Sequence, residues 1–74
     1  MSKESFMIEE LTKDLVRILV QDKGLSMKES LDAVYSSETY NKLCNLSTGL
    51  YFQSTPYVYE FLDTELRQQE RKTV

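Results

Sequence analysis

Apolar residues recur every three or four positions near the start of the chain, and this spacing constrains the fold more than any other feature. The stripe comprises Ile8, Leu11, Leu15, Ile18 and Leu19. Residues three and four positions apart lie on one face of an α-helix, so the spacing predicts a helix over residues 6–23. Ser5 is the predicted N-cap. Gly24 is a natural end because glycine readily takes the left-handed conformation that follows a helix.

Three further helices are predicted from local signals. Ser26 and Glu29 form the pattern of a capping box, which starts a second helix, and Ser36-Ser37 offers a cap for a third. Thr55-Pro56 starts a fourth helix, with Thr55 as the cap and the proline at the first helical position, where its missing N–H costs nothing. The predicted bounds are 26–35, 38–44 and 56–70, with an aromatic-rich turn segment at 46–55.

The predicted fold is an all-α bundle of three to four helices in a single domain, residues 1–74, with residues 1–5 and 71–74 frayed. Its predicted core comprises Ile8, Leu11, Leu15, Ile18, Leu19, Leu31, Val34, Leu43, Val58, Leu62 and Leu66. A chain of 74 residues builds a core worth no more than ~3–5 kcal/mol unless something staples it. The single cysteine, Cys44, cannot close an internal disulfide and is predicted to be a small buried residue.

Five of the eight aromatic residues lie within residues 51–61, around the only proline. In this stretch, Leu50-Tyr51-Phe52 has strand-forming residues but no strand in its own chain to pair with. Its backbone groups therefore need water, a side chain or another molecule. The candidate interface, for a homodimer or a complex with another protein, comprises Leu50, Tyr51, Phe52, Tyr57, Tyr59 and Phe61. Alternatively, Tyr51, Phe52 and Phe61 fill the gap between the first and fourth helices, since tyrosine is frequent at core margins as well as in interfaces.

The sequence lacks the residues that most catalytic and metal sites need. It has no histidine, which removes the commonest general base near neutral pH and the commonest metal ligand. Gly24 and Gly49 are too far apart for a phosphate-binding loop. Neighbouring carboxylates such as Glu9 and Glu10 are typical of a solvated helix face. The sequence therefore predicts a protein that is not an enzyme and has no catalytic residue, cofactor or metal.

The formal net charge of −3 is spread evenly, because residues 1–24, 25–55 and 56–74 each sum to −1. Nucleic acid and anionic membrane both require a concentrated positive surface, so neither is an expected partner. No apolar run approaches the ~20 residues of a membrane span. No apolar h-region follows the first residues, and a cytoplasmic location is expected.

A protein-interaction module or adaptor without catalytic activity is the leading prediction, and a helix-turn-helix DNA-binding regulator is the alternative. The second and third predicted helices, joined at Ser36-Ser37, have the order of that motif, and the third would offer Asn41 and Lys42 to a major groove. Only Lys28 and Lys42 are basic within residues 25–55. Neutralisation of phosphates, which dominates affinity for a duplex, would therefore be weak.

The order of short motifs resembles that of a set of small, uncharacterised bacterial helical proteins. The motifs are Gly24-Leu-Ser-Met-Lys-Glu-Ser-Leu31, Ser37-Glu-Thr-Tyr-Asn-Lys-Leu43, Thr48-Gly-Leu-Tyr51, Gln53-Ser54 and Tyr57-Val-Tyr-Glu-Phe-Leu62. The resemblance covers roughly residues 7–66, and it implies an all-helical fold with no assigned activity. Some such proteins look like companions of neighbouring toxin-like proteins. The resemblance therefore also implies an antitoxin-type or adaptor subunit, without assigning a functional residue.

Overall fold

Four α-helices form most of the protein in the computed structural model, which describes the backbone of residues 2–72 and the side chains of residues 2–69. They are α1 (Lys3–Lys23), α2 (Met27–Tyr35), α3 (Glu38–Cys44) and α4 (Thr55–Lys72), and two short 3₁₀ turns, Leu46–Thr48 and Leu50–Phe52, connect α3 to α4. The described residues contain no strand. The predicted all-α fold is therefore confirmed. Residues 1, 73 and 74, which were predicted to be frayed, lie outside the described residues.

The first helix starts earlier than predicted. Ser2, and not Ser5, is the N-cap of α1, because the Ser2 hydroxyl accepts a hydrogen bond from the backbone N–H of Ser5 at 3.1 Å. The first helical bond follows from the same residue, since the Phe6 N–H donates to the Ser2 carbonyl at 3.1 Å. Residues 3–5 and 71–72, which were predicted to be frayed, belong to α1 and α4. At its other end α1 stops at Gly24, which has a φ of 67° as the prediction requires.

The signals predicted for the two short helices are present. The Ser26 N–H donates to Glu29 Oε1 at 2.9 Å, and the Glu29 N–H donates to Ser26 Oγ at 3.1 Å, which completes the capping box of α2. The hydrogen bond from the Ser26 backbone is the main reason that the pKa of Glu29 lies below its usual value. Ser37 caps α3, whose bounds agree with the prediction, and its hydroxyl accepts from the Tyr40 N–H at 3.0 Å.

The segment predicted to be strand-like is a 3₁₀ turn. Gly49, with a φ of 69°, takes the left-handed conformation between the two 3₁₀ turns. The Phe52 N–H then donates to the Gly49 carbonyl at 3.1 Å, and the Gln53 N–H donates to the Leu50 carbonyl at 3.0 Å. These bonds pair the Phe52 N–H and the Leu50 carbonyl within the two turns. The Leu50 N–H donates to the Thr48 hydroxyl at 3.2 Å, so one backbone group of the segment has a side chain as its partner, as expected.

The fourth helix begins one residue before the predicted start, because Thr55 has another role. Its hydroxyl donates to Asp14 Oδ2 on α1 at 3.0 Å, so it does not cap its own helix. The first helical bond runs from the Val58 N–H to the Ser54 carbonyl at 3.1 Å, which makes Ser54 the residue that precedes the helix. The hydrogen bond between Thr55 and Asp14 connects the start of α4 to the middle of α1.

One cluster of buried apolar side chains, contributed by all four helices and the second 3₁₀ turn, forms the core. It comprises Leu11, Leu15, Val16, Leu19, Val34, Leu43, Leu50, Val58 and Leu62. Seven of these were predicted, whereas Val16 and Leu50 were not. Among the other predicted core residues, Ile8, Leu31 and Leu66 are partly buried against the cluster, and Ile18 lies outside it.

Cys44 is exposed, which contradicts its predicted burial. The buried residues of α3 are Thr39 and Leu43, which lie one helical turn apart. Cys44 follows directly after Leu43 and is therefore rotated about 100° away from the buried face.

Candidate protein-binding surfaces

The structure divides the six predicted interface residues into two groups. Leu50 belongs to the core, with only 8% of its surface exposed, so it is not available to a partner. Tyr51 and Tyr59 are half-buried and pack against the core. The Tyr59 hydroxyl also donates to Asp22 Oδ2 on α1 at 2.9 Å. Burial, followed by this hydrogen bond, raises the pKa of Tyr59 to about 12. These three side chains hold the fold together.

The other three predicted interface residues are exposed. Phe52 has 68% of its surface exposed, and its ring lies 4.4 Å from that of Tyr51. On α4, Tyr57 and Phe61 are also exposed and meet edge to face, with ring centroids 5.3 Å apart. Of the three rings considered as filling the gap between the first and fourth helices, Tyr51 packs against the core, whereas Phe52 and Phe61 are exposed. A homodimer through these residues stays a prediction.

Tyr57 and Phe61 border an open groove of about 730 Å³ between α3 and α4. The charged residues that line this groove are Glu38, Lys42, Glu60, Asp63 and Glu65. Two of the carboxylates already have partners within the protein. Asp63 forms ion pairs with Lys23 at 2.8 Å and with Arg67 at 3.1 Å, and the bond to Lys23 is the main cause that lowers the pKa of Asp63.

Glu65 connects α4 to the start of α3. Its Oε2 accepts from the Glu38 N–H at 2.8 Å, and its Oε1 accepts from the Thr39 N–H at 2.9 Å and from the Thr39 hydroxyl at 2.8 Å. Burial of Glu65 raises its pKa, but these hydrogen bonds outweigh that effect, and its pKa is lowered. The carboxylate therefore acts as a cap for α3, supplied from a residue much later in the chain.

A second and more apolar groove, the α1–α2 groove, lies between α1 and α2 and has a volume of about 470 Å³. One stripe of α1 forms its floor: Ile8, Thr12, Val16 and Val20. The Thr12 hydroxyl donates to the Ile8 carbonyl at 2.7 Å, so it does not need a partner from outside. The wall from α2 consists of Met27, Leu31 and Tyr35, and Met27 and Tyr35 are 60% and 53% exposed.

Tyr40 of α3 also lines the α1–α2 groove. Its ring meets that of Tyr35 edge to face, with centroids 5.0 Å apart. The hydrogen bond with Cys44, followed by burial, raises the pKa of Tyr40 to about 12. Tyr40 therefore keeps its proton at neutral pH and presents a neutral aromatic ring to the groove.

The rim of the α1–α2 groove on the α1 side is polar, and its charged residues are Glu9, Lys13 and Arg17. Lys13 lies 3.7 Å from Glu10, and Arg17 lies 3.5 Å from Asp14. The two basic side chains are about two-thirds exposed. Exposed pairs of this kind contribute little to stability, so both cations stay available to another charged group.

Sequence reasoning missed the α1–α2 groove because it assigned Leu31 and Val34 of α2 to the core and assigned no site to Met27 or Tyr35. The structure buries only Ser30 and Val34 of this helix, and Met27 and Tyr35 point away from the core. The signal in the sequence that could have indicated the groove was the width of the apolar face of α2. Met27, Leu31 and Tyr35 follow each other at four-residue intervals, beside the stripe that contains Val34.

Three other observations concern the whole described chain. Residues 2–72 contain no helix that is long and apolar enough to cross a membrane. No group of three or more potential metal ligands occurs among the residues that the structure describes. Comparison of the chain with protein-family models, with curated proteins and with solved structures found no match, so the resemblance to small bacterial helical proteins stays a prediction.

Proposed function

We propose that this protein is an interaction module or adaptor without catalytic activity, which binds another protein in the α1–α2 groove. The observation that carries the proposal is the exposure of Met27 and Tyr35 along a groove whose floor is the edge of the core. When a partner covers large apolar side chains on a concave surface, the free energy of the complex falls by roughly 25 cal/mol per Å² of apolar surface buried.

The alternative of a DNA-binding regulator is disfavoured by the surroundings of α3. In a helix-turn-helix protein the first residues of the second helix approach the DNA. Here the carboxylate of Glu65 is bound to the backbone of Glu38 and Thr39 at that end. Two negative side chains, Glu38 and Glu65, would repel phosphates there. Random duplex at low salt tests the alternative, because even non-specific DNA binders show salt-sensitive retention under those conditions.

Selection from a displayed library of random peptides tests the proposed function without assuming any partner. The bait is the wild-type protein, and each selected peptide is then measured against the double variant Met27→Glu with Tyr35→Glu. Both residues are exposed, so the variant should keep its helical circular dichroism and its melting behaviour. We expect peptides that bind the wild type and lose at least tenfold in affinity for the variant, because a buried unpaired carboxylate opposes apolar binding.

Phe52→Glu is the matched control, since Phe52 is the most exposed of the large apolar residues and does not line the α1–α2 groove. It should leave the affinity of groove-binding peptides unchanged. Peptides that depend on Phe52 but not on Met27 and Tyr35 would place the binding surface near the second 3₁₀ turn. That outcome, or the lack of any peptide sensitive to the groove variant, would contradict the proposal.

A further inference from the structure

From the dimensions and charges of the α1–α2 groove, we infer that its occupant is an amphipathic helix of another protein that carries acidic residues one turn apart beside its apolar face. The inference rests on the proposed function, since it names the class of partner for the same groove. Three observations support it: the shape of the groove, the position of its positive charges, and the consequence of those charges for self-association.

The shape of the groove favours a helical occupant. The lining residues of α1 run from Ile8 to Gln21. They span thirteen positions, or about 20 Å at the helical rise per residue, which is the length of a helix of about four turns. The described residues contain no strand, so they offer no sheet edge to which an extended peptide could add. Two helices with an apolar floor between them are the usual setting for binding a third helix through residues at three- and four-residue spacing.

The charges on the rim favour acidic residues in that helix. The protein has a net charge of −3, yet Lys13 and Arg17 lie on this rim, where Glu9 is the only lining acid among the described residues. The α2 wall contributes no charge. Lys13 and Arg17 are four positions apart, so their side chains are neighbours on the surface of α1, roughly 6 Å from each other. Two carboxylates one turn apart on the bound helix match this pair. They would replace the weak ion pairs that Lys13 and Arg17 form with Glu10 and Asp14.

The same charges disfavour a second copy of this chain as the occupant. A symmetric dimer would place one α1–α2 groove against the other, because a two-fold axis brings identical surfaces together. An axis that passes near Lys13 and Arg17 would bring these two bases of one copy against the same bases of the other, and contacts between like charges oppose association. An acidic helix meets no repulsion from Lys13 and Arg17.

A pair of synthetic peptides tests the inference. The first is a helix of about four turns with leucines at helical spacing and glutamates one turn apart along one flank. The second has lysine in place of each glutamate. We expect the glutamate peptide to bind the wild type about tenfold more tightly than the lysine peptide at low salt, with a smaller difference as salt rises. The double variant Lys13→Glu with Arg17→Glu should reverse the preference.

Lys3→Glu with Lys28→Glu is the matched control, because it changes the net charge by the same amount at two exposed residues that do not line the groove. It should keep the preference of the wild type. Equal binding of both peptides, or a preference that the Lys13 and Arg17 variant does not reverse, would overturn the acidic-helix inference. The library selection would still stand as the separate test of the groove. Self-association of the wild type that Met27→Glu with Tyr35→Glu abolishes would assign the groove to a second copy and overturn the inference as well.

Discussion

Replacing Glu65 with glutamine should destabilise the fold, because it removes the negative charge that caps α3. In the structure the two carboxylate oxygens accept three short hydrogen bonds, from the Glu38 N–H, the Thr39 N–H and the Thr39 hydroxyl, and a longer one from Gln69 Nε2 at 3.5 Å. Glutamine has nearly the same shape but only one accepting oxygen. Its NH₂ group would oppose at least one of these donors, which then lacks a partner.

The size of the effect follows from the bonds that are lost. Hydrogen bonds to a charged group contribute ~1.5–3 kcal/mol, and the loss of a helix cap costs ~0.5–2 kcal/mol. Glu65 is half-buried, so water screens part of the interaction. We expect Glu65→Gln to lower the free energy of unfolding by about 2 kcal/mol at pH 7. In a domain of this size that corresponds to a fall in Tm of roughly 8–16 °C, measurable by urea and thermal unfolding with circular dichroism.

The dependence on pH gives this prediction a sharper test. The pKa of Glu65 in the folded protein is lowered from its usual value of 4.5. The stabilisation by this carboxylate is therefore fully present above pH 4.5 and is lost as the pH falls through the folded pKa. The difference between the wild type and Glu65→Gln should shrink in acid.

Glu60→Gln is the matched control, since Glu60 is an exposed glutamate of α4 that lines the same groove between α3 and α4. It should change the free energy of unfolding by less than about 0.5 kcal/mol. An equal loss of stability in both variants, or a cost of Glu65→Gln that stays constant in acid, would refute the assignment of Glu65 as the cap of α3.

Three further predictions concern the core and the assembly. Leu15 is completely buried, so Leu15→Ala should lower the free energy of unfolding by about 2–5 kcal/mol and leave the chain largely unfolded by circular dichroism. A cooperative melt near that of the wild type would contradict the place of Leu15 in the core. Ser30 is also completely buried, and its hydroxyl has no hydrogen-bond partner among the described residues. Ser30→Ala should therefore raise the free energy of unfolding by about 1 kcal/mol. A lower urea midpoint for this variant would show that the hydroxyl has a hydrogen-bond partner in the folded protein. If the protein forms the predicted homodimer, the wild type should sediment as a species heavier than a monomer at micromolar concentration. Phe52→Ala with Tyr57→Ala, which removes two exposed rings, should shift it toward monomer while helical circular dichroism is retained. A monomeric wild type would exclude self-association, and unfolding of the double variant would assign these rings to the core.

Sequence reasoning located most of the helix ends whose deciding contacts are local, although it missed the Ser2 cap of α1, which lies three positions from Ser5. The bounds of α3, the capping box of Ser26 with Glu29, and the end of α1 at Gly24 depend on residues that lie within about four positions of each other. Hydrogen bonds between near neighbours and the conformational freedom of glycine are properties of a short stretch of chain. The same reasoning correctly placed Leu15 and most of the core, because the spacing of apolar residues defines one face of each long helix.

The candidate sites depended on contacts between distant parts of the chain, which periodicity does not contain. Leu50 belongs to the core and not to the predicted interface, because the second 3₁₀ turn packs against α1. Thr55 pairs with Asp14 across 41 positions and therefore does not cap its own helix.

The apolar face of α2 is the clearest case. Sequence by itself determined that Met27, Leu31, Val34 and Tyr35 lie on adjoining stripes of one helix. Only the tertiary structure decided that Val34 is buried while Met27 and Tyr35 remain exposed along the α1–α2 groove. The physical reason is that a helix of nine residues has a wider apolar face than one neighbouring helix can cover, and the angle at which α1 approaches selects the stripe that is covered.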